Sequence, residues 1–165
     1  MPSEKSAAPT GEGEVFKAGF VVVDLEAAMR DFSTWLGIEW TPVQQAPLTL
    51  DLPTGREEVS LRFVFSTRGP VLLELLEAQP SGYYAAPNGP FLHHVGRWVD
   101  DLAEASQRLE AAGLAREAVG VDAEGNTPAL FAFHAGHHGL RVELVDNASR
   151  ESFEGWLAGG TLELG

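Results

Sequence analysis

The chain has 165 residues, a formal net charge of −13 and no cysteine. The lack of cysteine excludes disulfide bonds, thiolate metal sites and a cysteine nucleophile. Lysine and arginine are scattered along the chain, so we expect no nucleic-acid partner. No apolar run approaches the roughly 18 residues of a membrane span. No secretory signal opens the chain, so we expect a cytoplasmic protein with no membrane partner.

The first half of the sequence predicts a disordered tail followed by a β-α-β-β-β module. Residues 1–13 are small and polar, with proline and glycine, as is typical of disorder. In the predicted module, residues 14–80, a β-rich strand over Val15–Val23 leads to Asp24, a good helix N-cap. Apolar residues then recur with helical periodicity up to Gly37, a candidate helix end. The three further strands are predicted near Ile38–Gln45, Val59–Phe65 and Val71–Ala78.

The second half has the same order of elements after a linker over residues 81–90. In the module predicted for residues 91–147, a strand over Leu92–Val99 leads to Asp101, an N-cap with Glu104 three residues on, as in a capping box. The helix is predicted to end near Gly113. Its three strands are predicted near Leu114–Val121, Ala129–His134 and Leu140–Val145. Residues 148–165 are predicted to form a C-terminal helix and tail, with the helix over Ala148–Leu157.

An internal repeat relates the two halves. With an offset of 77 and no gap, Lys17 aligns with His94, Gly19 with Gly96 and Asp24 with Asp101. Glu74 and Glu143 are equivalent near the ends of the last strands. The sequence therefore predicts an α+β fold of two tandem βαβββ modules in one structural domain. Their uncovered sheet faces would form a shared, open-barrel cleft suited to a ligand.

Side-chain alternation along the strands predicts which residues face this cleft. Lys17 shares a face with Gly19, while Phe16 falls on the opposite face, toward the helix. His94 shares a face with Trp98, and His93 has the opposite parity, which places it toward the helix layer or an interface. The residues that flank Glu74 and Glu143 are apolar and suit the face covered by the helix, so the two glutamates would point into the cleft. Two glutamates, a histidine and a lysine are therefore expected to converge in the cleft.

The chemistry of these four residues leaves two alternatives open. Two carboxylates in a partly buried cleft must be protonated, pair with a cation or bind a metal. Glu74, Glu143 and His94 together offer a plausible ligand set for a divalent transition metal with open positions. Alternatively, Lys17 supplies the positive charge and the cleft holds no metal.

Four further residues are candidates for substrate binding. His134, at the end of its strand, is expected to reach the cleft mouth, unless it belongs with His137 and His138 to a surface turn. Arg141 shares the face of Glu143 and would neutralise it or hold a substrate carboxylate. Tyr83 and Trp98 are candidates to line or cover an apolar pocket, with core packing as the alternative for Trp98.

The paired segments from Lys17 and His94, with the glutamates of LLELLE and RVELVD, resemble the vicinal oxygen chelate superfamily. This group includes glyoxalase I, methylmalonyl-CoA epimerase, extradiol dioxygenases and bleomycin or fosfomycin resistance proteins. The resemblance implies paired βαβββ modules, a small-molecule substrate and a homodimer. It implies His94, Glu74 and Glu143 as metal ligands. Lys17 stands where a further ligand is expected, and an ammonium group has no lone pair to give.

Two functions follow from this resemblance. The first is a glyoxalase-like lyase or isomerase that works through an enolate-type intermediate. Glu74 and Glu143 would act as ligands or bases, with Lys17 as the electrostatic stabiliser. A divalent ion (Ni, Mn, Fe or Zn) would assist, although Lys17 in place of the expected first ligand counts against it. The alternative is a metal-free protein that binds a small molecule or sequesters an antibiotic.

Overall fold

Eight strands close into a barrel, and the first two helices pack against its outer surface. The computed structural model describes residues 12–162. The predicted tail over residues 1–13 therefore lies mostly outside the described residues, and the first strand already begins at Glu12. The elements in chain order are β1 (Glu12–Val22), α1 (Leu25–Leu36), β2 (Gln44–Leu52), β3 (Gly55–Phe65), β4 (Leu72–Glu77), β5 (Phe91–Val99), α2 (Leu102–Ala111), β6 (Ala115–Gly120), β7 (Phe131–Ala135), β8 (Arg141–Asp146), a 3₁₀ turn (Asn147–Ser149) and α3 (Arg150–Leu157).

The sheet order around the barrel is β1-β4-β3-β2-β6-β7-β8-β5. Strand β1 pairs in parallel with β4 and antiparallel with β5, while β5 pairs in parallel with β8. Strand β2 joins the two halves on the other side through a short pairing with β6. The α+β class is as predicted. The barrel is closed by strand pairing, whereas the sequence predicted an open one.

Both predicted aspartate caps begin their helices. The Asp24 carboxylate accepts the backbone N–H of Ala27 at 2.8 Å, and Asp101 accepts that of Glu104 at 2.8 Å. Each cap satisfies a backbone donor that the first helical turn leaves without a partner. Helix α1 ends at Gly37, whose φ of 67° is a left-handed conformation that favours glycine. The caps thus fix the point where the chain leaves the barrel wall.

Strand β2 lies further along the chain than predicted. The prediction favoured Ile38–Gln45, but the strand runs over Gln44–Leu52 and contains Pro47. Proline disfavours a central strand because it cannot donate a backbone hydrogen bond. Here β2 pairs with β6 only at Leu50 and Asp51. Pro47 therefore lies where β2 has a paired neighbour on one side only, and its missing donor costs little.

The apolar core has an interior part and two outer parts. The interior cluster lies inside the barrel and includes Phe63, Phe65 and Phe133. Outer clusters form where Leu25 of α1 and Leu102 of α2 pack on the strands. None of the helices within residues 12–162 is long and apolar enough to cross a lipid bilayer. The interior cluster lines the same cavity as the polar residues described next.

Candidate functional site in the barrel

Two β-bulges turn extra side chains into the barrel. In the β1–β5 ladder, Gly19 pairs with His94 while the next residue, Phe20, pairs with Leu92, so His93 is an extra residue. In the same ladder Val15 pairs with Arg97 and Lys17 with Gly96, which makes Phe16 the extra residue in β1. A bulge breaks strand alternation and re-aims the side chains beside it. Consequently the adjacent residues Phe16 and Lys17 both lie on the interior side, and so do His93 and His94. Phe16 and His93 were predicted to point outward.

Two glycines let the site side chains cross the strands. A Cβ atom on Gly19 would lie 2.3 Å from His94 Cε1, so the imidazole ring rests on the bare backbone there. Gly19 also pairs with Glu74 on its other side, in β4. The second glycine has the equivalent place: Gly96 lies under the Lys17 chain and pairs with Glu143 in β8. Each glycine thus opens the path from a cation-forming residue to a glutamate two strands away.

The four side chains meet in one buried cluster. Lys17 Nζ lies 2.6 Å from Glu143 Oε2 and 3.1 Å from Glu74 Oε2. His94 Nε2 lies 3.0 Å from Glu74 Oε2 and 3.1 Å from Glu143 Oε2. All four residues are at most 6% exposed. The contact between Lys17 and Glu74 is also an aligned hydrogen bond, with the ammonium donating.

The mutual attraction of these groups outweighs their loss of hydration. Burial lowers the pKa of Lys17, but Glu143 and Glu74 together raise it above its usual 10.5. Burial likewise lowers the pKa of His94, and the same glutamates raise it above 6.5. Burial raises the pKa of Glu143, but Lys17 and His94 lower it from 4.5 to about 2. Glu143 is therefore ionised at neutral pH, and Lys17 is its charged partner.

The cluster forms one end of an apolar cavity of about 170 Å³ inside the barrel. Phe16 and Trp98 stack there with ring centroids 4.2 Å apart and planes 11° apart. Phe153 and Trp156 of α3 also line the cavity and pack against Phe65 of the interior cluster. The remaining lining residues are mostly aliphatic or aromatic, apart from Ser149. The cavity therefore offers an aromatic enclosure with a single polar end.

Of Trp98, Tyr83 and Tyr84, only Tyr83 is not among the residues that line the cavity. Trp98 lines the cavity, and its role in substrate binding stays a prediction. Tyr84 also lines it and is 2% exposed, whereas Tyr83 is not among the lining residues. The Tyr83 hydroxyl donates to Glu117 Oε2 at 3.0 Å. Tyr83 therefore lies behind the cavity wall, and its neighbour occupies the position predicted for it.

His134 lies on the helix side of the sheet and not at the cleft mouth. Its side chain is fully buried, with Nε2 2.8 Å from the Ser106 hydroxyl and Nδ1 3.0 Å from the Leu114 carbonyl oxygen. Its neighbour Phe133 has the opposite parity and faces the cavity. The predicted substrate role of His134 thus has no support in the geometry, since α2 covers its ring.

Arg141 contacts a different glutamate from the one predicted. Its Nε donates to Glu117 Oε2 at 2.5 Å, and its Nη1 donates to the His93 carbonyl oxygen at 3.0 Å. The guanidinium also lies 5.2 Å from the centre of the Tyr83 ring. Arg141 is therefore separate from the Glu143 cluster. It fixes a carbonyl group of the β5 bulge.

His93 packs directly behind His94. The two Nδ1 atoms are 3.0 Å apart, so one ring donates and the other accepts. His93 also stacks against the Tyr84 ring with centroids 5.0 Å apart. Burial lowers the pKa of His93 to about 3, with a further contribution from His94. A neutral imidazole thus orients the ring of His94 from behind.

Sequence reasoning missed the aromatic residues of α3. Phe153 and Trp156 are three residues apart, so they share one helix face. That spacing was a usable signal, but nothing local indicates that this face covers a barrel. Phe16 was assigned to the outer face because strand alternation, which the bulge breaks, was the available rule.

A divalent ion does not fit the four residues as a set. Glu74, His94 and Glu143 each offer one ligand atom, and these atoms lie within 4.8 Å of one another. Their chemistry alone suits a transition metal, so the group could hold one. The Lys17 ammonium, however, contacts the same two carboxylate oxygens that a metal would use. It has no lone pair and repels a second cation, which counts against an ion beside it.

The chain belongs to the Glyoxalase/Bleomycin resistance protein/Dioxygenase superfamily, which its residues 17–133 match. This agrees with the resemblance drawn from the sequence. A search of curated proteins gave no match. Family membership does not identify the reaction, because one fold carries many chemistries.

Solved structures with the same fold have low sequence identity to this chain. Methylmalonyl-CoA epimerase from Mycobacterium tuberculosis is similar, with a TM-score of 0.56, 16% identity, and coverage of 86% of this chain and 93% of that one. A hypothetical protein from Bacillus halodurans has a TM-score of 0.56 and 18% identity, covering 82% and 94%. A mutant 4-hydroxymandelate synthase from Streptomyces coelicolor has a TM-score of 0.57 and 12% identity, covering 88% and 52%. These likenesses concern the fold alone.

Proposed function

We propose that this chain binds a small molecule in the barrel cavity without a metal ion. The observation that carries the proposal is the position of Lys17 Nζ, within 3.1 Å of a carboxylate oxygen from each glutamate at the polar end of an aromatic cavity. Concave, mostly apolar cavities with a few convergent polar groups are the usual sites for small ligands. In this cavity the chain itself supplies the positive charge, through Lys17.

The state of Glu143 favours binding over proton-transfer catalysis. A general base works best with a pKa near the working pH. Lys17 and His94 lower the pKa of Glu143 to about 2, so it is a weak base. The ion pairs that stabilise the cluster thereby reduce the reactivity of its best-placed carboxylate.

Metal content tests the first half of the proposal. The protein is purified without chelator, incubated in turn with nickel, manganese, iron and zinc salts, dialysed and analysed for bound metal. We expect no stoichiometric ion. A stoichiometric ion that disappears in His94→Ala would overturn the metal-free proposal.

Tryptophan side chains report on the second half of the proposal, the binding of a small molecule in the cavity. Of the four tryptophans, Trp98 and Trp156 line the cavity. Trp35 is 67% exposed, and the Trp40 indole N–H donates to the Met29 carbonyl oxygen outside the cavity. On titration with toluene we expect the indole N–H signals of Trp98 and Trp156 to shift in ¹H–¹⁵N spectra, while the other two serve as internal controls. No saturable shift would contradict a ligand-binding cavity.

A glyoxalase-like or epimerase-like lyase or isomerase is the second candidate, favoured by the adjacency of Lys17 and Glu74 at the cavity end. In such a reaction a carboxylate removes the proton next to a carbonyl group, and the ammonium stabilises the enolate oxygen. The proton then returns to carbon. Incubation with methylmalonyl-CoA, or with the glutathione adduct of methylglyoxal, in D₂O tests it. Incorporation of deuterium at carbon that is lost in Glu74→Gln would support this candidate over simple binding.

The homodimer expected from the family resemblance stays a prediction. Size-exclusion chromatography with light scattering measures the mass directly. The calculated mass of one chain is 17.7 kDa, so a dimer would give twice this value.

A further inference from the structure

We infer that the ligand of this cavity is an uncharged molecule with a body about the size of one aromatic ring. The inference rests on the proposed binding function and specifies its ligand class. Three properties carry it: the volume of the cavity, the mutual contacts of its charged groups, and the character of the groove that adjoins it.

The volume sets the size of the ligand. The cavity measures about 170 Å³. A cavity of about 150 Å³ lined by apolar side chains holds one benzene molecule. The enclosed part of the ligand is therefore one ring with a small substituent. Stacked aromatic walls, such as those of Phe16 and Trp98, suit a flat ring better than a branched chain.

The charged groups at the polar end of the cavity already contact one another. Both glutamates contact Lys17 within 3.1 Å, and both contact His94 within 3.1 Å. Each carboxylate thus already lies beside two groups that can carry positive charge. A ligand carboxylate would meet two carboxylates, and a ligand ammonium would meet Lys17. Either ion would have to displace an existing partner.

The rest of the cavity cannot compensate a charge. Apart from the four cluster residues, the polar groups among the lining residues of the described chain are the Ser149 and Tyr84 hydroxyls and the indole N–H groups of Trp98 and Trp156, and none of these carries a charge. A buried ion without an opposite charge is strongly disfavoured because it loses its hydration. A hydroxyl or carbonyl group on the ligand is tolerated, since one hydrogen bond satisfies it.

The groove that adjoins the cavity has no positively charged residue among those that line it. A groove of about 690 Å³ shares Leu48, Leu130 and Phe131 with the cavity wall, so it adjoins the interior there. Glu58 and Asp122 are the charged residues among those that line this groove. An anionic tail lying in the groove would therefore meet like charge and no cation. Phosphate-bearing ligands are disfavoured on this route as well as in the cavity.

A series of four compounds with one ring separates charge from shape. Isothermal titration calorimetry at pH 7 with toluene, benzyl alcohol, benzylamine and benzoate gives four dissociation constants for the full-length protein. We expect the two uncharged compounds to bind at least tenfold more tightly than either ion. An ion that binds as tightly as benzyl alcohol would overturn the inference while leaving the binding function intact. If none of the four binds, the proposed function itself fails.

Two variants test whether the charge matching is the cause. Lys17→Met leaves an unmatched carboxylate, so we expect the preference to move toward benzylamine. Glu143→Gln leaves Lys17 with one carboxylate, so we expect the ligand preference to move toward benzoate. Shifts of opposite sign do not arise from a general loosening of the cavity. Equal losses for all four compounds in both folded variants would refute the charge-matching argument. If either variant fails to fold, the ranking of the four dissociation constants of the wild-type protein decides whether the inference holds.

Discussion

Gly96 lies opposite Lys17 in the β1–β5 ladder, and a Cβ atom on Gly96 would come within 2.7 Å of Lys17 Cε. The reciprocal relationship holds between Gly19 and His94, at 2.3 Å. Neither glycine has a positive φ, so the requirement at each position is space and not backbone conformation. The two glycines are thus as much a part of the ion cluster as the residues that carry its charges.

Gly19→Ala should therefore destabilise the protein and move the His94 ring. The added methyl group would overlap an imidazole that is 1% exposed and held from behind by His93. Overpacking a core typically costs about 1–3 kcal/mol. Urea denaturation measures this loss, and imidazole ¹⁵N shifts report on the ring. Gly155→Ala, in α3 with nothing within 4 Å of the added atom, is the control and should be neutral or slightly stabilising.

Removing the buried Lys17 ammonium should lower the free energy of unfolding more than removing an exposed cation. Lys17→Met leaves Glu74 and Glu143 buried without their ammonium partner. Breaking a buried ion pair in this way costs about 3–5 kcal/mol. Arg68→Met is the matched control, because Arg68 and Glu39 form an exposed pair worth about 1 kcal/mol or less. Equal losses of unfolding free energy in the two variants would contradict the buried-pair account.

Acid should weaken the fold through Glu143. Its pKa is 4.5 when unperturbed and about 2 in the folded chain. The stability it contributes is therefore fully present above pH 4.5 and is lost as the pH falls toward 2. Urea denaturation at a series of pH values should show this loss in the wild type. The loss should be smaller in Glu143→Gln, but unchanged in Glu110→Gln, which alters an exposed carboxylate of α2.

Lys17→His should create a metal site. The substitution replaces an ammonium group with a nitrogen lone pair beside Glu74, His94 and Glu143, whose ligand atoms already lie within 4.8 Å of one another. We expect the variant, unlike the wild type, to retain a stoichiometric divalent ion after dialysis. The double variant with His94→Ala should lose it. Retention unaffected by His94→Ala would place the ion elsewhere.

Arg141→Gln should loosen the β5 bulge. Arg141 Nη1 donates to the His93 carbonyl oxygen from a partly buried position. Loss of a hydrogen bond from a charged donor costs about 1.5–3 kcal/mol. Arg56→Gln is a close control, because Arg56 Nη2 donates to the Gly125 carbonyl oxygen at 3.1 Å from an exposed position. A similar small effect in both variants would show that Arg141 does not hold the bulge.

The sequence predicts the four cluster residues because each half of the chain repeats the same pattern. Lys17 and His94 occupy equivalent positions, so a regular ladder brings them to one face together with the two glutamates, and the structure places them there. Phe16 and His93 could not be placed in this way. Alternation assumes one residue for one residue along the ladder, and each bulge adds an extra residue. No local signal in β1 or β5 marks these bulges.

Tertiary context decided the other differences. Pro47 in β2 is compatible with a strand only because β6 pairs at Leu50 and Asp51 and no further. Arg141 has the parity of Glu143 but contacts Glu117, which lies at a register shift in the β6–β7 ladder. Both outcomes depend on which strands become neighbours, and periodicity within one segment carries no such information.

The ammonium group at the barrel's polar end is joined to the backbone by a covalent bond. A bound ion has an occupancy that rises and falls with its supply and is removed by chelators. Lys17 is always present at full occupancy, since it is made with the chain. In a metal-free cavity, as proposed, the balance of charge is therefore independent of cellular metal concentration, and it is set when the protein folds.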